Sequence, residues 1–354
     1  MTASFPSTPL TTLLGSTGPV HAIAYSASPG TYILTGSSDR SIRLYNPFPS
    51  TTANTHTIQP SKLIQTYTAH GYEVLDLAVS RDNARFASVG GDRSVFLWDV
   101  ATAKTIRRFG GNNGHTARIN AVCFAGGEDA VLVSGSFDAS VRLWDSKSQS
   151  HKPIQTLSEA RDSVSCVMVN GTGGHEIVTG SVDGKVRYYD IRMGNMDTDV
   201  LGAPVTSLAT TKDGEGVLVG TLDNAVRLMD RKSGACLMTY KGHENREYRV
   251  RSCFGKREAW VLSGSEISGP KKQGRDESGE VAVWDTVTGT VMAKVAVPGR
   301  LDDGTRKKIV GSDGQEKKRK NVISCVAWKD NGKGDQWCCG GTDGIVTVFG
   351  NTPR

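Results

Sequence analysis

The strings TGSSDRSIRLYN, SVGGDRSVFLWD, SGSFDASVRLWD, TGSVDGKVRYYD, VGTLDNAVRLMD and CGGTDGIVTVFG occur in this order along a chain of 354 residues. Each reads as a short strand, a tight turn carrying an acid, and a second strand ending in a large residue. The acids are Asp39, Asp92, Asp138, Asp183, Asp223 and Asp343, and each lies six positions before Tyr45, Trp98, Trp144, Tyr189, Met229 or Phe349. A further strand precedes each pair, starting at Val20, Val74, Ile119, Val164, Val205 and Ile323. The distance from that start to the large residue is 25, 24, 25, 25, 24 and 26 positions. A seventh unit runs from Val250 to Trp284, a span of 34, and so carries an insertion. A small unit repeated in this way cannot bury its apolar faces alone and must pack against its own copies.

A fourth strand follows most units: KLIQTY, KTIRRF, PIQTL, CLMTY and VMAKV. Four antiparallel strands per repeat of about 40–45 residues specify a β-propeller of the WD-repeat type. The expected fold is all-β, a single seven-bladed propeller over residues 9–354, preceded by a flexible N-terminus at 1–8. The blades span approximately 16–67, 68–109, 110–157, 158–200, 201–240, 241–297 and 298–350. The last blade lacks an outer strand of its own, and residues 9–15 (PLTTLLG region) are expected to supply it, which leaves no long open edge. Hydrophobic residues at 37% suffice for such a core when many of the 41 glycines lie in strands and turns.

Two units carry a full polar set: His70, Ser88, Asp92 and Trp98 in blade two, and His115, Ser134, Asp138 and Trp144 in blade three. In WD-repeat folds the matching residues form a buried chain in which the acid accepts from His, and His is linked through Ser to the indole N–H. A buried carboxylate must be paired, and a satisfied network stiffens what surrounds it. The same three residue types make a hydrolase triad, but here they recur blade by blade at fixed spacing in turns, so the reading is structural. Blade six keeps His243, Ser263 and Trp284 yet has Ser278 where the other blades hold Asp, with Asp276 or Glu277 as a substitute acid. Blades one, four, five and seven keep Asp without the full set and are expected to depend on packing.

Other chemistry is excluded on the same footing. No apolar run approaches the roughly 18 residues of a membrane-spanning helix, and the start MTASFPSTPL has no secretory pattern. The seven cysteines include no CxxC pair. Cys123, Cys166, Cys236, Cys253 and Cys325 lie in apolar, strand-like contexts, which reads as free buried thiols in a reducing compartment. The stretch Gly264 to Lys271 approaches GxxxxGK[ST], but Pro270 removes a backbone N–H, Lys272 follows where Ser or Thr is required, and a strand comes next instead of a helix. No cofactor, metal or catalytic residue is expected, and the chain is read as no enzyme.

In a propeller, the turns leading into first strands and the turns between second and third strands share one face, the top. Three irregularities map there: seven positions separate His243 from Val250 against four in blades two and three, and two long loops lie near 266–278 and 298–320. Residues 300–320 hold eight Lys or Arg and four Asp or Glu, while the whole chain has a net charge of only +6. The positives cluster as Arg306, Lys307 and Lys308, and as Lys317, Lys318, Arg319 and Lys320. Three readings stay open for them: a solvated loop, a nuclear-import signal, or a contact with RNA phosphates or an acidic protein. Tyr72, Glu73, Arg118, Arg161, Asp162, Arg246 and Tyr248 occupy the leading turns of the top face and are the candidate partner-binding residues, since exposed Arg and Tyr commonly anchor interfaces.

The stretches YTAHGYEVLDLAVSRDNARFASVGGDRSVFLWDV, QTLSEARDSVSCV, TGSVDGKVRYYDIRMG and YKGHENREY extend beyond the generic repeat. In them the chain resembles the mitogen-activated protein kinase organizers, a WD-repeat family, over essentially all seven blades. The resemblance implies a non-enzymatic scaffold that gathers signalling kinases, is associated with spliceosomal proteins and pre-mRNA splicing, and works in cytoplasm and nucleus as a monomeric propeller within larger complexes. The alternative is a ribonucleoprotein component that touches RNA through the basic top loop.

Overall fold

The turns of each repeat are short, so its strands pair with their neighbours in sequence order and every blade is an antiparallel meander. The computed structural model describes residues 5–48, 59–171, 174–268, 278–299, 320–329 and 335–351. They form seven sheets, which close into a seven-bladed propeller. Blade two is typical, with strands Val74–Val79, Arg85–Gly90, Val95–Asp99 and Thr105–Phe109 from axis to rim. Among the described residues the only helical elements are two 3-10 turns, Gly111–Asn113 and Gly127–Asp129.

The core is a set of layers between blades. Seven apolar clusters are buried, and each joins two adjacent blades. The large residue that ends each third strand packs onto the preceding blade: Trp98 beside Tyr67, and Trp144 beside Phe109. At the axis the first-strand valine of one blade sits on a glycine of the blade before. A Cβ on Gly36, Gly135 or Gly180 would come within 2.7, 2.6 or 2.5 Å of Val74, Val164 or Val205. That close approach is what the repeated glycine permits.

The ring closes as expected and then goes further. Thr8–Leu13 pairs antiparallel with Val346–Gly350 as the outer strand of blade seven. Gln59–Pro60, at the end of the long segment after the third strand of blade one, pairs in parallel with Thr11 and Thr12. Blade seven therefore has five strands, and the closing strand is covered. Phe5 and Pro6, within the N-terminus expected to be flexible over 1–8, are packed in place. Phe5 packs against Trp260, Trp337 and Trp328 at ring distances of 5.1, 5.6 and 6.4 Å, and the Trp337 indole N–H donates to the Pro6 carbonyl at 2.8 Å.

Two further departures have clear causes. Blade four has an outer strand, Asn195–Val200, whose polar sequence NMDTDV carries no strand pattern. It forms because all six of its residues find register partners along Lys185–Asp190. No cysteine is in a disulfide, and not all are buried: Cys166, Cys325, Cys338 and Cys339 are, Cys123 and Cys253 are half-buried, and Cys236 is exposed on the outer strand of blade five. An outer strand covers only one of its faces, so an apolar context in sequence does not bury every residue there.

Candidate functional site

In blade two the expected chain forms. The Trp98 indole N–H donates to Ser88 Oγ at 2.8 Å, Ser88 meets His70 Nε2 at 2.7 Å, and His70 Nδ1 meets Asp92 at 2.5 Å. In blade three the same links run from Trp144 to Ser134 (2.9 Å), Ser134 to His115 (2.8 Å) and His115 to Asp138 (3.0 Å). Asp92 and Asp138 also accept the backbone N–H of Gly71 and Thr116, at 2.8 and 2.9 Å. Burial works against ionising these acids, but the hydrogen bonds from the histidines and amides outweigh it and hold both below the usual carboxylate range. Ser88 and Ser134 have no exposed surface at all. Each hydroxyl is enclosed between an indole and an imidazole, so no substrate carbonyl can reach it. The chains are braces between the top turns and the sheet.

Blades one, four and five do not depend on packing alone. An arginine four residues after the acid takes the place of the missing histidine. Arg43 meets Asp39 at 2.8 Å, Arg187 meets Asp183 at 2.6 Å, and Arg227 pairs with Asp223. Asp183 is pulled down to about 2, where burial opposes ionisation but the Arg187 and Ser181 hydrogen bonds override it. The sequence signal is the D-x-x-x-R spacing inside the repeat, which puts Arg on the third strand directly beside its own turn. Blade three has both His115 and Arg142, and there Arg142 turns away to the Asn113 carbonyl.

Blade six departs from expectation. His243 is buried, yet neither ring nitrogen has a hydrogen-bond partner among the described residues. Trp284 donates instead to the Lys241 carbonyl at 2.8 Å, and Ser263 to the Gly264 carbonyl at 3.1 Å. The network expected from His243, Ser263 and Trp284 is not made, because no acid stands at Ser278 to anchor the imidazole. Asp276 and Glu277 lie outside the described residues. A different acid organises the blade. Its second strand continues past the expected end, through Trp260–Ser268, and this carries Glu266 inward. One Glu266 oxygen accepts the N–H groups of Arg246, Glu247 and Tyr248 at 2.7, 2.8 and 2.9 Å. Three successive amides on one carboxylate oxygen fix the enlarged leading turn.

That turn belongs to the top face, as do the other candidates. Tyr72 is 64% exposed and Tyr248 41%. Arg118, Arg161, Asp162 and Arg246 are exposed, and Glu73 is half-buried opposite His21 at 3.7 Å. Sequence reading missed Phe137, which precedes Asp138 in the blade-three turn. It is 52% exposed and lies under the Arg118 guanidinium, 4.9 Å from ring centre. The other blades place Ser38, Gly91, Val182, Leu222 and Thr342 at this position, so an aromatic ring there was a visible anomaly. Of the basic loop, Arg306, Lys307, Lys308, Lys317, Lys318 and Arg319 lie outside the described residues, and Lys320 is exposed.

Also unforeseen is the polar lining of the axis. The Arg251 guanidinium, from blade six, donates to Asp76 of blade two at 2.6 Å. Arg249, two residues earlier, donates to the Asn120 carbonyl of blade three at 2.5 Å. Blades two and three lie on the far side of the ring from blade six, so both side chains cross the channel. Neighbouring first strands are tied in the same layer by Asn120 to the Val164 carbonyl (2.8 Å), Ser207 to Ser252 (2.8 Å) and Ser324 to the Val20 carbonyl (3.2 Å). Among the described residues no group of three His, Cys, Asp or Glu is placed to hold a metal ion.

Comparison with known proteins agrees with this architecture. The model of the family described as WD domain, G-beta repeat matches residues 7–46, 61–99, 104–145 and 151–190. Each match begins with the outer strand of one blade and ends in the third strand of the next, so each matched repeat spans two blades. The matches cover the first three strands of blades one to four, and blades five, six and seven lie outside them. WD repeat domain-containing protein 83 of Rattus norvegicus is 41% identical over 288 residues, 81% of this chain and 82% of that protein. The protein of the same name from Homo sapiens is 41% identical over 288 residues, 81% of this chain and 82% of its own. A homolog from Dictyostelium discoideum is 33% identical over 279 residues, 72% of this chain and 81% of its own length.

Proposed function

The chain belongs to the family of WD repeat domain-containing protein 83, and from that premise we propose that it is a non-enzymatic scaffold that assembles protein complexes on its top face. WD-repeat propellers generally mediate protein–protein interaction, and their rigid ring displays many turns at once. The observation that carries the reading here is the enlarged turn of blade six. Glu266 commits a buried carboxylate to holding Arg246, Glu247 and Tyr248 at the surface, next to a face that also exposes Tyr72, Arg118, Phe137 and Arg161. Exposed aromatic and arginine side chains on a stiff framework are the usual anchors of an interface.

The finer reading follows the resemblance to the mitogen-activated protein kinase organizers. The partners are signalling kinases and spliceosomal proteins, the protein works in cytoplasm and nucleus, and it operates as one propeller inside larger assemblies. The test is charge reversal at Arg118, Arg161 and Arg246 together, followed by affinity purification from nuclear and cytosolic fractions. Loss of kinases or splicing factors from the captured set, with an unchanged melting temperature, supports the reading. An unchanged captured set removes the top face from it, and a captured set with neither class removes the kinase and splicing assignment.

A further inference from the structure

Arg249 and Arg251 bring two guanidinium groups into the axial channel; Asp76 hydrogen-bonds Arg251 and acts on Arg249 only through space. Both Asp76 oxygens are committed: one accepts from Arg251 and the Leu77 N–H, at 2.6 and 2.9 Å, and the other from the Val122 N–H at 3.0 Å. Arg249 has the single contact with the neutral Asn120 carbonyl, and its Nε is buried with no partner among the described residues. His21 Nε2 is likewise buried without a hydrogen-bond partner, with Glu73 3.7 Å away. A cation in such a place is costly unless an anion joins it. Burial, then the neighbouring Arg251, pull the Arg249 pKa down to about 10, so it is still a cation at neutral pH.

The repeat register places this charge at the top. Glu73 and Arg118 immediately precede Val74 and Ile119, the first residues of their inner strands, and Arg249 precedes buried Val250 on the approach to the inner strand Ser252–Gly255. His21 and Arg251 lie one step inside that ring. Because the Arg249 side chain crosses to the Asn120 carbonyl of blade three, the mouth is basic on the blade-three side, where Arg118 also lies. Phe137 stands at its rim, with its N–H on the Arg118 carbonyl at 2.9 Å and its ring under the Arg118 side chain.

We propose that the top mouth of the channel is a receptor for one carboxylate of an acidic protein segment. The side chain of a Glu or Asp enters beside Arg249 and completes its charge, and an apolar neighbour in the same segment packs on Phe137. A protein segment fits this site better than RNA, because it brings one carboxylate for one guanidinium and an apolar side chain for Phe137, whereas RNA would bring a run of phosphates to a mouth that also holds Glu73 and Asp76. The inference rests on the scaffold reading and names the chemistry of one partner contact.

The probe is a fluorescein-labelled hexapeptide alternating Glu with Phe and Leu, measured by anisotropy against the full chain. The expected result is saturable binding that weakens with salt. Replacing Glu by Gln in the peptide, or Arg249→Gln in the protein, should each weaken binding by about tenfold or more. Phe137→Ser, at an exposed position, should weaken it without a change in melting temperature. Should Arg249→Gln fail to fold, Arg118→Ala at the rim and the Gln peptide still decide the matter. No saturable binding at millimolar peptide, equal binding of the Gln peptide, or a uridine hexanucleotide that binds as tightly and competes would each overturn the proposal. If the peptide fails while reversal of Arg118, Arg161 and Arg246 still strips the captured complexes, the scaffold reading stands and only the channel site falls.

Discussion

Arg187 holds Asp183 at 2.6 Å, four residues away across its own turn, with the two side chains only 3% and 9% exposed. The same spacing in blade five brings Arg227 to Asp223, but there the exposures are 20% and 36%. Identical geometry at different depth predicts different cost. Asp183→Ala leaves a buried arginine unpaired and should destabilise by about 3–5 kcal/mol. Asp223→Ala opens a pair that water already reaches and should cost about 1 kcal/mol or less. Thermal melting of the two variants side by side checks the order, and equal losses would show that burial does not set the worth of these pairs.

Those arginines also mark where the sequence was legible and where it was not. The turn acids and large residues were readable because one blade's geometry is imposed on all, so spacing is conserved within the chain itself. The histidine networks of blades two and three were readable for the same reason. Arg43, Arg187 and Arg227 were in view but were given no role, because the same D-x-x-x-R spacing also marks Arg142 of blade three, where histidine holds the acid and the arginine turns to the Asn113 carbonyl. Glu266 was hidden more deeply. It lies at the start of an insertion, and nothing local tells that the strand runs on far enough to bury it. The channel arginines depend on which blades face each other across the ring, a relationship that no short spacing encodes.

His243 predicts a pH dependence of stability. Burial, the largest influence, lowers its pKa from the ordinary 6.5 to about 4, with Lys294 adding to the fall and Asp223 and Glu266 opposing it. The unfolded chain therefore binds the extra proton first as pH drops. Stability should be constant on this account above about 6.5, decline as pH falls from about 6.5 to about 4, and level off below that. His243→Gln should flatten this window. His21, also lowered by burial, leaves a residual slope. The turn acids Asp92, Asp138 and Asp183 act only in more acid solution, since their folded values lie below the ordinary carboxylate value. Denaturation midpoints from pH 7 to pH 4.5 check the sign, and an identical slope in the variant contradicts it.

Phe5 predicts that the segment just before the closing strand contributes to ring closure. Its ring fills the space among Trp260, Trp328 and Trp337, and the adjoining Pro6 carbonyl satisfies the Trp337 indole. Phe5→Ala removes much of that packing, and for a partly buried ring the cost should be about 1–3 kcal/mol. Tryptophan fluorescence should shift to the red as water reaches Trp260 and Trp328. A variant with unchanged emission and unchanged melting would mean that the closing strand alone carries the seam.

Glu266 predicts a local effect that separates the turn from the blade. Its one oxygen serves three amides, while Ser265 Oγ accepts the N–H groups of Glu244 and Ile267, both at 3.1 Å. Glu266→Gln keeps an acceptor oxygen in place and removes the charge, so it should preserve most of the turn. Glu266→Ala strips three part-buried donors of their partner and should cost about 1–3 kcal/mol. Hydrogen exchange should accelerate at Arg246, Glu247 and Tyr248 in the Ala variant, much less in the Gln variant, and in neither case at the corresponding turn of blade three, which Asp138 holds. Unchanged exchange at those three amides in Glu266→Ala would show that the turn is held by its own backbone and that the buried carboxylate is there for another reason.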